Sequence, residues 1–106
     1  MTLKAAIDTA VKRVLSAAHP SKIILFGSRA KGAATADSDL DLLVVERQVA
    51  FKIKEMARLR KAVGDIGLSV DILVCSEKEI ADWGELPGTA IYWALKEGKV
   101  LYDAAR

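Results

Sequence analysis

The chain has 106 residues, a formal net charge of +2 and one cysteine, Cys75. This length suits one domain over residues 1–106, and 52% apolar residues allow a core without disulfides. The small net charge argues against a dedicated nucleic-acid-binding protein, so direct nucleic-acid binding is not expected. A single cysteine excludes an intrachain disulfide and a four-ligand zinc site built mainly from thiolates, and it favours a reduced, cytoplasmic setting. Charges interrupt the apolar run of residues 1–18, which argues against a signal peptide, and no stretch is apolar for long enough to span a membrane.

Helices and strands are predicted to alternate along the chain. Apolar residues recurring every three or four positions indicate helices, and short apolar runs rich in Ile, Leu and Val indicate strands. Four strands are expected, over residues 22–26, 39–45, 68–75 and 99–102. Three helices are expected in the first part of the chain, over residues 3–18 with Thr2 as the cap, over 29–34 and over 51–63. Two more are expected near the C-terminus, a short helix after the capping box Ser76-x-x-Glu79 and a helix from the cap Thr89 to Glu97. Alternating strands and helices predict a two-layer α/β domain.

Two aspartates stand one residue apart in the second predicted strand. Alternate side chains of a strand share a face, so Asp39 and Asp41 should lie together with their Cα atoms about 6.5–7 Å apart. Leu40 and Leu42 would point to the opposite face. Two neighbouring carboxylates repel each other and are costly to bury, whereas a divalent cation such as Mg²⁺ relieves this conflict. The simpler alternative, a pair of solvated charges at a strand end, is more common for an isolated pair.

A Gly-Ser turn follows the first predicted strand. Gly27 lets the backbone bend and a ligand approach closely, while Ser28 offers a hydroxyl and an N–H at the start of a short helix. Arg29 adds positive charge, so the segment could hold a triphosphate. The alternative is a plain strand-to-helix turn. A Walker P-loop is excluded because two alanines occupy residues 33–34, where Lys and Ser or Thr are required.

A third carboxylate interrupts the third predicted strand. Asp71 lies between Val70 and Ile72, and it could reach the same metal site if its strand lies beside that of Asp41. Alone, Asp71 would be read as a solvated charge. Three strand carboxylates with a Gly-Ser turn instead favour a phosphoryl-transfer centre, in which the third carboxylate receives the proton of the nucleophile.

The segments "GSRAKG", "SDLDLLVV" and "VDILV" together resemble the minimal nucleotidyltransferase family of the DNA polymerase β-like superfamily. The resemblance implies a small mixed sheet of about four strands covered by helices, in the α/β (α+β) class. It also implies an enzyme that transfers a nucleoside monophosphate, with ATP as the expected substrate and two Mg²⁺ ions as cofactors. Gly27, Ser28 and Arg29 would then bind the nucleotide.

The same resemblance assigns Asp39, Asp41 and Asp71 as catalytic residues and metal ligands. The motif positions carry the expected residue types, so an active enzyme is predicted.

Only about 30 residues follow the third predicted strand, which leaves little material to hold an acceptor. The resemblance implies a helical partner protein of the HEPN type, encoded nearby, in a toxin–antitoxin pair where AMP is added to a tyrosine of the toxin. Two alternatives remain: transfer to a small hydroxylated molecule such as an aminoglycoside with help from a partner subunit, or an antitoxin that acts by binding alone. A homo-oligomer is also possible.

Aromatic and apolar residues near the C-terminus have two interpretations. Trp83, Leu86, Tyr92 and Trp93 could form an interface, although a core position is the simpler interpretation for Leu86 and Trp93. Cys75 is expected to be inert in the core. The basic residues within 52–61 are expected to form a solvated helix face.

Overall fold

Five helices and four strands make up the part of the chain that the computed structural model describes, residues 2–32, 34 and 38–105. They are α1 (Leu3–Ala17), β1 (Lys22–Phe26), α2 (Ser28–Lys31), β2 (Leu40–Glu46), α3 (Lys52–Val63), β3 (Val70–Ser76), α4 (Glu77–Trp83), α5 (Ala90–Glu97) and β4 (Lys99–Asp103). The predicted order of elements is confirmed. The short helix α2 ends earlier than predicted, because Gly32 adopts a left-handed conformation at φ +72°; residue 33 lies outside the described residues.

The four strands form one mixed sheet in the order β3-β2-β1-β4. Strands β2 and β3 are parallel, whereas β1 is antiparallel to both β2 and β4. The predicted mixed sheet of about four strands is therefore confirmed. In this register, Asp41 of β2 lies between Phe26 of β1 and Asp71 of β3.

Apolar side chains cover both faces of the sheet. On one face, Leu40, Leu42 and Val44 of β2 belong to a cluster that includes α1 and α3 residues. On the other face, Leu43 and Val45 belong to a smaller cluster that includes residues of α4 and α5. The central strand β2 is therefore buried on both sides over most of its length, and a charge within it requires a specific reason.

Local sequence signals set the helix ends. The hydroxyl of Thr2 accepts from the N–H of Ala5, and the hydroxyl of Thr89 accepts from the N–H of Tyr92. Ser76 and Glu79 form the predicted capping box. None of the helices in the described ranges is long and apolar enough to cross a membrane.

Several apolar side chains expected to pack inward are exposed instead. Trp93 and Leu86 are each 47% exposed, so the core interpretation of these two residues is wrong. Phe51, which fits the apolar repeat of the third predicted helix, is its N-cap and is 67% exposed. Helical spacing alone cannot tell which side of a short helix meets the sheet, because that depends on long-range packing.

Candidate active site

Asp41 and Asp71 are direct neighbours on the parallel strands β2 and β3. Neighbouring strands lie about 4.8 Å apart, and residues in register on parallel strands point to the same face. Asp41 occurs on the face of Leu43, and Asp71 on the face of Leu73, which both pack in the smaller cluster. The condition on which the sequence prediction for Asp71 depended, that its strand lies beside that of Asp41, is met.

The carboxyl group of Asp41 is in an environment that disfavours its charge. Its pKa is raised above the usual value, first by burial and then by the negative charges of Asp71 and Asp39. A fully solvated carboxylate at a strand end would not have its pKa raised by burial in this way, so Asp41 differs from that simpler alternative. A bound cation would relieve the repulsion between these carboxylates, and carboxylate oxygens are the ligands that Mg²⁺ prefers.

Gly27 lies against Asp41 on the other side of β2 from Asp71. Its backbone has φ +76° and ψ −159°, a combination that is essentially confined to glycine. A Cβ atom placed at this residue would lie 2.2 Å from Oδ2 of Asp41, so any side chain would displace the carboxylate. Gly27, which directly follows β1, therefore forms a row with Asp41 of β2 and Asp71 of β3, and the carboxylate of Asp41 occupies the place that a Cβ atom of residue 27 would take.

Ser28 and Arg29 begin α2 beside this row. Ser28 is the first helical residue and is partly buried. The Nε and Nη2 atoms of Arg29 donate hydrogen bonds to the carbonyl oxygen of Ser38, at 3.1 and 2.7 Å. Arg29 thus braces α2 against the segment that leads into Asp39, and its predicted role in nucleotide binding stays a prediction.

Asp39 lies outside the strand in which it was expected. Strand β2 begins at Leu40, whose N–H donates to the carbonyl oxygen of Ser69. Asp39 is exposed and directly precedes β2, although its charge is close enough to affect Asp41. Within the described residues, no three His, Cys, Asp or Glu side chains are arranged so as to hold a metal ion together. The structure therefore brings Asp41 and Asp71 together and leaves Asp39 as a nearby third carboxylate.

A cleft of about 460 Å³ opens at Asp41 and Asp71. Strands β1 and β3 contribute Phe26 and Leu73 to its lining, and Met56, Ala57 and Arg60 come from α3. Sequence reasoning missed the α3 residues, because it assigned the basic side of this helix to solvent. The available signal was the spacing of Met56 and Arg60, which places them on one side of the helix.

A second pair of carboxyl groups lies at the opposite end of β2. The pKa of Glu46 is raised to about 7, by burial, by its hydrogen bond with Glu55 and by the charge of Glu55. Arg58 holds Glu55 through hydrogen bonds of 2.7 and 2.8 Å and lowers the pKa of that carboxyl. Sequence reasoning missed this pair, since no local pattern links the end of β2 to α3.

Cys75 is buried, and burial raises the pKa of its thiol to about 12. This environment agrees with the predicted inert core position.

Comparisons with known proteins bear on the family and the fold of this chain. Residues 9–106 match the family model described as "Polymerase beta, Nucleotidyltransferase". A crystal structure at 1.40 Å of a protein from Sulfolobus solfataricus, provisionally described as a nucleotidyltransferase, has a TM-score of 0.64 and 21% identity. The match covers 99% of this chain and 93% of that one, and at this identity it shows the shared fold. A search of curated proteins found no match. With the family model spanning nearly the whole chain, this protein belongs to the polymerase β-like nucleotidyltransferase family.

Proposed function

We propose that this protein transfers AMP from ATP to a hydroxyl group of an acceptor, in a Mg²⁺-dependent reaction. The observation that carries the proposal is the row in which Asp41 and Asp71 are neighbours on parallel strands and Gly27, directly after β1, lies against Asp41, in a nucleotidyltransferase fold. The family generally uses a nucleoside triphosphate and Mg²⁺.

The chemistry requires charge balance and positioning more than covalent help from the protein. The acceptor oxygen bonds to the α-phosphorus, the bond from that phosphorus to the bridging oxygen breaks, and pyrophosphate leaves. Asp71 orients the acceptor hydroxyl and takes up its proton. Gly27 and Ser28 receive the phosphates, with Arg29 alongside.

The proposed metal ligands are Asp39, Asp41 and Asp71. Mg²⁺ held there would supply positive charge to the transferred phosphate and leaving group. The donor chemistry of Asp41 and Asp71 suits this ion, because they are neighbouring carboxylates and the charge of Asp41 is disfavoured without a counter-ion, and Asp39, which directly precedes β2, would complete the set.

We further propose that the acceptor is a tyrosine of a helical HEPN-type partner, which makes this protein an antitoxin that acts in the cytoplasm. This acceptor is the one that the sequence resemblance implies. Helices α4 and α5 pack on the sheet and β4 joins its edge, so these three elements contribute to the nucleotidyltransferase fold itself.

The decisive experiment uses ATP labelled at the α-phosphate, Mg²⁺ and the purified protein encoded beside this one. With the native chain, label is expected on a tyrosine of that protein. The matched control is Asp8→Asn, which makes the same substitution at an exposed position on α1 and should give the same labelling. Asp41→Asn should slow the transfer at least ~10²-fold. An unlabelled partner would overturn the tyrosine acceptor. Label on an added aminoglycoside alone would favour the small-molecule alternative, and toxin neutralisation by Asp41→Asn would favour binding alone.

A further inference from the structure

We propose that the acceptor protein docks on the cleft-facing side of α3 and presents an acidic, partly apolar helical surface to it. This docking face consists of Ile53, Met56, Ala57 and Arg60 of α3 with Leu73 of β3. The inference rests on the proposed function, because it names the side from which the acceptor reaches Asp71.

The direction of attack follows from the order of the strands. In phosphoryl transfer the attacking and leaving oxygens lie roughly in line on opposite sides of the phosphorus. Gly27 and Ser28 are on the β1 side of Asp41, and they would hold the leaving pyrophosphate. Asp71 is on the β3 side, where α3 lines the cleft. Helix α3 packs on the opposite face of the sheet, but β3 is the edge strand and α3 lines the cleft at this edge, so an acceptor that reaches Asp71 over the edge passes along α3.

The side of α3 that faces the cleft continues beyond it as an exposed apolar surface. Ile53 lies three residues before Met56 and four before Ala57, so the three share one side of the helix. Ile53 is 76% exposed, the largest value among the large apolar residues described. Met56 and Leu73 also line an adjoining groove of about 260 Å³ that reaches Trp83 of α4. An apolar strip therefore leads from the two aspartates to a half-exposed tryptophan, a residue type that often anchors interfaces.

Charge indicates what kind of partner fits. Helix α3 contains five basic residues and one acidic residue. Lys52 is paired with Glu79, and Arg58 with Glu55. Among the described residues, no carboxylate forms an ion pair with Arg60, which lines the cleft. An acidic surface would complement Arg60, while apolar residues beside it would cover Ile53. An amphipathic helix offers both together, and the apolar strip favours a protein over RNA.

The test compares Ile53→Glu with Leu3→Glu, which places the same residue at an exposed apolar position in the first turn of α1. Steady-state transfer of labelled AMP to the neighbour-encoded helical protein is measured while that protein and ATP are varied separately. Ile53→Glu should raise the KM for the acceptor protein at least tenfold by analogy with interface anchors. The KM for ATP should stay within twofold of the native value. Leu3→Glu should change neither. Equal acceptor KM values for the two variants would overturn the docking face.

A binding measurement separates this inference from the proposed activity. Titration calorimetry of the same helical protein with the native chain, Ile53→Glu and Arg60→Gln needs no turnover. Binding weakened at least tenfold in both variants, even if no label is transferred, would support the docking face and contradict the proposed transfer. Unchanged binding would refute the docking face whether or not transfer occurs. Binding of a single-stranded RNA that depends on Arg60, with none of the protein, would overturn the proposed occupant.

Discussion

Replacing Gly27 with alanine tests the geometry of the site most sharply. The backbone at φ +76° and ψ −159° is strained for alanine by about 1–3 kcal/mol. The added methyl group would lie 2.2 Å from Oδ2 of Asp41, and the end of that side chain must move away to relieve the overlap. Gly27→Ala should therefore lose about 1–3 kcal/mol of unfolding free energy in urea, and its larger effect should be on the position of the Asp41 carboxylate.

The matched control is Gly67→Ala. Gly67 also has a positive φ, +88°, but a Cβ atom there meets nothing within 4 Å. This variant should carry the conformational cost alone, about 1–3 kcal/mol, and retain Mg²⁺-dependent AMP transfer. Gly27→Ala should lose transfer even at temperatures where it is folded, because Asp41 is displaced. Near-native transfer by folded Gly27→Ala would refute the assigned contact between Gly27 and Asp41.

Three further changes probe the carboxylates and their supports. Asp41→Asn should slow transfer at least ~10²-fold. The same variant should raise the Tm at pH 8, because the raised pKa of Asp41 means that its charged form is unfavourable to folding. A lower Tm would contradict this. Glu46 has its pKa raised to about 7, so the stability it contributes is complete below about pH 4.5 and is lost as pH rises through 7. Glu46→Gln should remove this loss, on the order of 1 kcal/mol after solvent screening, and an unchanged pH–stability curve would refute it. Arg29→Met should lower the free energy of unfolding in urea by about 1.5–3 kcal/mol, because it removes the charged hydrogen bonds to Ser38. Arg29→Lys should restore little of this stability, because lysine lacks the forked geometry of the guanidinium group. Full restoration by lysine would count against the bidentate contact.

Helix ends and strand positions could be read from the sequence because their signals are local. Thr2, Ser76 and Thr89 each cap the helix that their position predicts. The short apolar runs around Ile24 and Leu43 form the two central strands. Motif spacing also identified Asp41 and Asp71, which are neighbours in the sheet.

Features that depend on long-range packing could not be read in the same way. The hydrogen bonds of Arg29 to Ser38, which occupy two of the five N–H donors of its guanidinium group, depend on how α2 rests against the segment before β2. The contribution of Arg60 to the cleft depends on how α3 rests against β3. The exposure of Trp93 depends on which side of α5 meets the sheet. Pairing between strands fixes these relationships, and one sequence does not specify that pairing locally.

The most direct measurement is an amide NMR titration of the protein with Mn²⁺ in the presence of α,β-methylene ATP, a non-reacting analogue. Paramagnetic broadening should appear first at Gly27, Ser28, Asp41 and Asp71, since the metal–nucleotide complex is expected at this row. Broadening centred elsewhere, for example at Glu46, would contradict a catalytic metal site between β2 and β3.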